Sequence, residues 1–430
     1  MKKNEIVHGI CTDITVDGHG IARSDGKVIF VKGMIPGEEG QIKVISDKKS
    51  YAYGIIDSLS AVSPDRREED CPVAYKCGGC DFRHIDYKRQ LSLKRDVLVN
   101  TFRDLPVRIE EVHASPKILH YRNKVQVPVK DHRFGFYRRY SNDIVESPSC
   151  LLQFEEATDI LNEIRELLKE EDTSSLRHIF LRKGEGSGEI MLGWITSKKD
   201  VPYLKRVSET LVSHYPSIVS VLQNINTRGD NVILGEEEVL LYGKDRILDI
   251  FGGIRAEISL KSFYQVNAGQ MVELYQGVKE YIEEGDRVLD LYSGIGTISL
   301  FVSDKAREVT GVEIVRDAVE NAKRNASLNH LSNVSFLLGD AGKGMKEFLK
   351  DRDCVILDPP RKGVTKELVE DLIEMKVPKI IYVSCNPATL HRDLQLLKED
   401  YDFDLIRPYD MFPYTVHCEC LVCLRRKSHE

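Results

Sequence analysis

From about residue 256 onward the sequence alternates short apolar runs with amphipathic helical stretches, and this alternation constrains the fold most. The runs RVLDLYSGIGTISLF, EVTGVEIV, VSFLLGDA, CVILDPPR and KIIYVSC each end in a polar or glycine-containing turn. Stretches with helical spacing, such as RDAVENAKRNASL and TKELVEDLIEM, separate them. Near-continuous apolar strands are buried on both faces, and crossover helices make neighbouring strands parallel. The pattern predicts a doubly wound α/β sheet over residues 256–430. Ligands bind such sheets at the carboxyl ends of the strands, so the turns are where chemistry is expected.

The chain has 430 residues, too many for one small core. Residues 1–60 read as five short strands broken by glycine pairs, which predicts a small β-barrel of the OB type. Residues 61–255 read as a mixed α+β region. It includes the helical stretches IDYKRQLSLKRDVLVNTF (Tyr87, Leu91, Leu98 and Phe102 at helical spacing) and QFEEATDILNEIRELLKEE (Ile160, Ile164, Leu167 and Leu168). No apolar run approaches the roughly 20 residues of a membrane span, and the start lacks a signal-peptide core, so a cytoplasmic location without membrane contact is expected. No protein partner is implied, and oligomeric state is silent.

The net charge of -7 argues against a nucleic-acid partner only as an average. Residues 61–150 carry 17 Lys/Arg against 13 Asp/Glu, a local basic excess. Between Lys117 and Arg139 the cations interleave with Tyr121, Phe134, Phe136 and Tyr137, with Tyr140 just beyond. Cations serve phosphates while aromatic faces stack bases, so this stretch suits single-stranded RNA; a hairpin with a solvated basic face is the other reading.

Four strand ends carry informative residues. DLYSGIGT places glycines after the first strand, where a Cβ would obstruct a ligand, but it lacks the full G-x-G-x-x-G of pyrophosphate-binding turns. Glu313 ends the second strand, where a carboxylate can accept both ribose hydroxyls of a nucleoside. Asp340 ends the third, where an adenine edge can be read. This order resembles S-adenosylmethionine-dependent methyltransferases. The fourth strand ends in Asp358-Pro359-Pro360-Arg361 and the fifth in Cys385. A pyrimidine C5 is too weak a nucleophile to attack a sulfonium methyl unaided, and a thiolate adding at C6 activates it. Cys385 precedes Asn386-Pro387 at a helix start, a place that favours the thiolate; a buried strand cysteine is the bland reading. A base must then remove the C5 proton, and MFPYTVHCE offers Glu419 or His417.

Ten cysteines in a reducing compartment are not read as disulfides. Cys71, Cys77 and Cys80, with Cys150 downstream, form a set that can hold zinc or an iron–sulfur cluster on composition alone. Cys418, Cys420 and Cys423 read as strand residues, and Cys11 as barrel core.

SFYQVN, DLYSGIGT, DPPRKG, SCNPATLHRD and MFPYTVHCE occur in this order behind the clustered cysteines and a barrel whose DGHGIAR…GKVIFVKGMIPGE resembles the TRAM module. Together they resemble the bacterial RNA (uracil-C5)-methyltransferases over essentially the whole chain, and more narrowly the iron–sulfur-containing 23S rRNA 5-methyluridine enzymes. The resemblance implies a TRAM barrel, a central α+β domain with an iron–sulfur site and a Rossmann-like catalytic domain. It further implies that the 86–112 helix segment packs with the catalytic domain. By the same resemblance Cys385 is the nucleophile and Glu419 the base. Gln265, Tyr292, Thr297, Glu313, Asp340 and Asp358 contact S-adenosylmethionine, and Cys71, Cys77, Cys80 and Cys150 ligate a [4Fe–4S] cluster. Phe263 is a stacking candidate beside an extruded base. Thr297 stands where relatives often have Asn, and Tyr414 where they usually have His. A tRNA uridine-C5 methyltransferase and a catalytically silent RNA-binding assembly protein are the competing readings.

Overall fold

Alternating burial along five N-terminal strands turns one face of each toward a common core. The computed structural model describes residues 1–428. Strands Ile6–Ile14, His19–Ser24, Lys27–Lys32, Glu39–Asp47 and Tyr51–Ala61 close a barrel in the order first, second, third, fifth, fourth. Ala22, Ile29, Val31, Ile42, Val44 and Ala52 fill it together with Cys11. Each large aliphatic so buried contributes about 1.5–3 kcal/mol relative to exposure.

A seven-stranded sheet follows, running from Glu237–Gly243 at one edge through Leu176–Lys183 and Lys124–Lys130 to Ile144–Glu146 at the other. Its Val125, Val127, Leu181 and Trp194 pack under helices Glu155–Leu167 and Tyr203–His214. Phe180, Met191, Ile195 and Leu222 instead join the core of the C-terminal sheet, together with the hairpin Arg246–Phe251/Ile254–Ser259. The two sheets therefore share a packed interface.

All five apolar runs beyond residue 256 form the expected parallel strands. Arg287–Leu291 lies between Glu308–Glu313 and Cys354–Leu357, and the sheet continues through Val334–Leu338 on one side and Lys379–Ser384 on the other. Glu419–Arg426 runs antiparallel beside Lys379–Ser384, followed by Leu405–Tyr409. The strand order reverses next to Arg287–Leu291, which opens a crevice at its carboxyl end. Among the described residues no helix is long and apolar enough to cross a membrane.

Helix Tyr87–Thr101, capped by Asp86, runs into Arg108–Ile109, which pairs at the far edge of the C-terminal sheet. Leu98, Phe102, Leu105 and Ile109 are part of that sheet's core. Its buried face differs from the expected Tyr87, Leu91, Leu98 and Phe102 stripe. Within the helix Gln90, Leu93, Lys94 and Leu98 are buried, because the helix packs on a polar loop as well as an apolar layer.

The basic stretch is also more divided than its sequence suggests. Tyr121 and Phe134 are buried core residues, Arg122 and Lys124 are largely enclosed, and Arg139 is tied to Asp81. Lys130, Arg138, Tyr137 and Tyr140 remain exposed. In Lys124–Lys130 alternation turns Val125, Val127 and Val129 inward, while the turn at Asp131–His132 and the flanking Lys130 and Arg133 stay outside.

Candidate active site

The turn after Arg287–Leu291 is shaped by its backbone. Tyr292, Gly294 and Gly296 all have positive φ (66°, 54° and 84°), and a Cβ at Gly296 would lie 2.4 Å from Phe336. Glycine relieves this at two of the three positions; Tyr292 adopts a conformation that costs about 1–3 kcal/mol and is common at functional sites. Glu313 reaches across to the turn, its Oε2 accepting from the Gly294 N–H at 3.0 Å and its Oε1 from Val315 at 2.8 Å. Below the turn, a cleft is lined by Gln265, Tyr292, Thr297 and Asp358 with Phe263, Tyr275 and Asp290. Thr297 is bound by the Tyr275 hydroxyl at 2.8 Å. Burial raises the Tyr292 phenol, and Asp340, held by the Gly342 N–H at 2.9 Å, lies close enough to add to the rise. Four of the six side chains expected to contact the cofactor, Gln265, Tyr292, Thr297 and Asp358, line this cleft; Glu313 is tied to its turn and Asp340 lies near Tyr292.

Cys385 lies beside this cleft, in a cavity of about 250 Å³ lined also by Val16, Lys94, Arg361, Val416, His417 and Cys418. Asn386 caps helix Pro387–Leu397. The register pairs Ser384 with Cys420, so Cys385 and Glu419 leave adjacent strands at the same level. Burial pushes Glu419 up to about 8, and Asp358 adds to the rise while Arg361 opposes it. Burial likewise lifts Asp358 and Asp290 to about 7. The Cys385 thiol is pushed up to about 11, by burial first and then by Glu419 and Asp358. The helix start was expected to favour the thiolate; enclosure among carboxylates outweighs it. His417 is held below its ordinary value by burial and by Arg361.

The clustered cysteines come together a short way off. Burial raises the thiols of Cys71, Cys77 and Cys80, lifting Cys80 to about 12, and Cys150 adds to the rise in each. Arg83 acts on Cys71 and Cys80, and Arg122 on Cys77 and Cys80. Among the described residues no group of three or more His, Cys, Asp or Glu side chains stands in metal-holding geometry. The thiols are neighbours, not a finished ligand cage. Cys418 and Cys420 are buried at the strand start, with Cys418 Sγ 3.3 Å from the Tyr409 carbonyl.

Sequence reasoning did not single out Lys94, Gln90 or a role for Arg361. Lys94 donates to Asp410 at 2.6 Å and to the Phe412 carbonyl at 3.2 Å. Two polar residues four apart on the inward face of an otherwise apolar helix stripe were the available signal. Arg361 acts on Cys385, His417 and Glu419 together, which only the tertiary structure shows.

Two family profiles match the chain: tRNA (Uracil-5-)-methyltransferase over residues 253–427 and the TRAM domain over 11–56. An uncharacterized RNA methyltransferase of Bacillus cereus is 41% identical, covering 99% of this chain and 98% of the relative. One from Halalkalibacterium halodurans is 38% identical, covering 100% and 98%. The crystal structure of the Pyrococcus abyssi tRNA (uracil-54, C5)-methyltransferase in complex with S-adenosyl-L-homocysteine superposes with a TM-score of 0.80 at 28% identity, covering 97% of this chain and 100% of that one. The chain belongs to the TRAM-containing RNA (uracil-C5)-methyltransferases, the S-adenosylmethionine-dependent enzymes that methylate uracil C5 in RNA.

Proposed function

We propose that the protein methylates a uridine of 23S rRNA through a covalent adduct on Cys385, with Glu419 as the base. The observation that carries the covalent mechanism is the pair itself: thiol and carboxyl at one level on adjacent strands, beside the crevice lined by Gln265, Tyr292, Thr297 and Asp358, with Glu313 tied to its turn. Bound S-adenosylmethionine supplies the methyl group. The Cys385 sulfur adds to C6 of an extruded uracil, its thiol proton passing to solvent. C5 then takes the methyl. Glu419 in its carboxylate form, the minor form below about pH 8, takes the C5 proton and becomes the neutral acid; the C5–C6 double bond re-forms and Cys385 leaves as the thiolate. Phe263, 67% exposed at the crevice, is placed to stack near the extruded base.

Cys71, Cys77, Cys80 and Cys150 fit a [4Fe–4S] cluster by donor chemistry, with zinc as the other occupant. Arg83 Nη1 and Arg122 Nε are buried without partners, and their charges favour an anionic tetrathiolate group. Such a cluster would brace the loops, since the polar mechanism above transfers no electron. Brown absorbance with iron in an anaerobic preparation supports the cluster, and a colourless, zinc-loaded protein supports zinc.

A tRNA substrate is the second reading. It is favoured by the Pyrococcus enzyme, whose name states tRNA and whose fold covers both the barrel and the cysteine segment. Mapping 5-methyluridine in rRNA and tRNA from cells with and without the protein decides between them. With RNA carrying 5-fluorouridine, the wild type is expected to form a stable covalent adduct and Cys385→Ala none; an adduct in the variant overturns the nucleophile assignment.

A further inference from the structure

The segment Asp410–Cys418 links Leu405–Tyr409 to the strand that begins at Glu419, and it carries His417. Most of its polar backbone is held from outside the C-terminal sheet. Lys94 takes the Phe412 carbonyl, and the Tyr121 hydroxyl donates to the Pro413 carbonyl at 3.1 Å. The backbone N–H groups of Asp81 and Phe82 donate to the Tyr414 carbonyl at 2.9 and 3.0 Å. The Tyr414 N–H donates to Gln90 Oε1 at 3.0 Å, and the Val416 N–H to Asp81 Oδ2 at 3.3 Å. Asp81 directly follows Cys80, and Arg139 holds its other carboxylate oxygen.

Tyr414 is the centre of this arrangement. It is 1% exposed, has φ of 66°, and lies under the Arg83 guanidinium, 4.2 Å from ring centre. Its hydroxyl accepts from Arg67 at 3.2 Å. Arg83 in turn pairs with Asp70 at 2.6 Å, the residue before Cys71. A side chain as large as Tyr adopts a left-handed conformation only where its surroundings over-determine it. Here both ring and backbone are gripped by the residues that flank the cysteines.

We propose that Tyr414 is a positioning residue that fixes the strand bearing Glu419 to the cysteine segment, so that the placement of Cys71–Cys80 sets the placement of the base. The inference rests on the reading of Glu419 as the base. It assigns no contact of Tyr414 with substrate or cofactor: the ring acts through the backbone of residues 414–418.

The test separates formation of the adduct from its resolution. With 5-fluorouridine RNA, Tyr414→Ala is expected to form the adduct at the wild-type rate, because Cys385 and the cofactor crevice are held by other strands. With ordinary uridine RNA its proton abstraction slows by roughly tenfold to a hundredfold, the loss expected for a misplaced base. Tyr414→Phe, which keeps the ring beneath Arg83, recovers most of that loss. Asp81→Ala attacks the same link from the other side and gives the same signature, which covers the case where Tyr414→Ala does not fold. Equal slowing of adduct formation and resolution, or no slowing in either folded variant, overturns the proposal. Glu419→Gln is run alongside. If it turns over normally, the base reading fails, and amide exchange at His417 and Glu419 then decides on Tyr414 alone: faster exchange in Tyr414→Ala upholds the link, unchanged exchange overturns it.

Discussion

The reaction cavity and the cysteine segment face the same loop with different neighbours for their buried acids. Around the cavity, Asp290, Asp358 and Glu419 are enclosed carboxyls, and all three are pushed toward the neutral form. Around the cysteines burial raises the thiols too, but Arg83 and Arg122 oppose that rise. Burial holds the Glu419 proton, so the carboxylate that its proposed role as base requires grows only as pH rises toward about 8. Thiols beside guanidinium groups suit an anionic thiolate group instead.

The strongest way to break that contrast is Glu419→Gln. Its adduct should form, but resolution should slow by about 10²–10⁴-fold, as for loss of a general base, measured by single-turnover kinetics. The same variant reports on stability. Glu419 keeps its proton in the folded protein up to about 8, whereas its ordinary value is 4.5. The native state therefore binds more protons than the unfolded chain between those limits, and the wild type loses stability as pH rises through them. Gln cannot ionise. The variant should match the wild type at pH below about 4 and exceed it by on the order of 4 kcal/mol near pH 8 in denaturant titrations. No divergence with pH would mean that Glu419 is not buried as a neutral acid.

A smaller effect is expected from Arg361→Gln. Removing this cation disfavours the Glu419 carboxylate, so the acidic limb of kcat/KM should move to higher pH by about one unit, with about a tenfold loss near neutrality. An unmoved limb would place the titrating base elsewhere, His417 first.

The smallest effects sharpen the basic side. Arg138 is exposed, so Arg138→Ala should weaken RNA binding uniformly and lower the salt slope by about 1. Arg122 is enclosed beside the thiols, so Arg122→Met should leave that slope alone and instead reduce retention of the metal group proposed for the four cysteines. Equal salt effects from both would contradict the division between an exposed RNA face and an internal brace.

Much of this was legible before any fold was seen. Strand ends, glycine turns and the acidic residues at 313, 340 and 358 follow local rules, because in a parallel sheet the residue after the strand is necessarily at the ligand edge. The exposed and buried halves of the 117–140 stretch were not separable, since charge composition carries no phase information about which strand face points inward. Lys94 and Gln90 were hidden for a related reason: helical periodicity shows an inward face but not whether the surface it meets is apolar.

By itself the sequence determined the barrel, the doubly wound sheet and the strand-end position of the crevice, and its motif order put Cys385 and Glu419 forward as the proposed nucleophile and base. Tertiary structure alone decided the protonation chemistry and the wiring. The Cys385 thiol lies well above its ordinary value despite its helix start, and Tyr414 joins Gln90, Asp81 and Arg83 from distant parts of the chain. Desolvation and contacts between remote segments depend on what surrounds a group in space, and a linear pattern does not specify that.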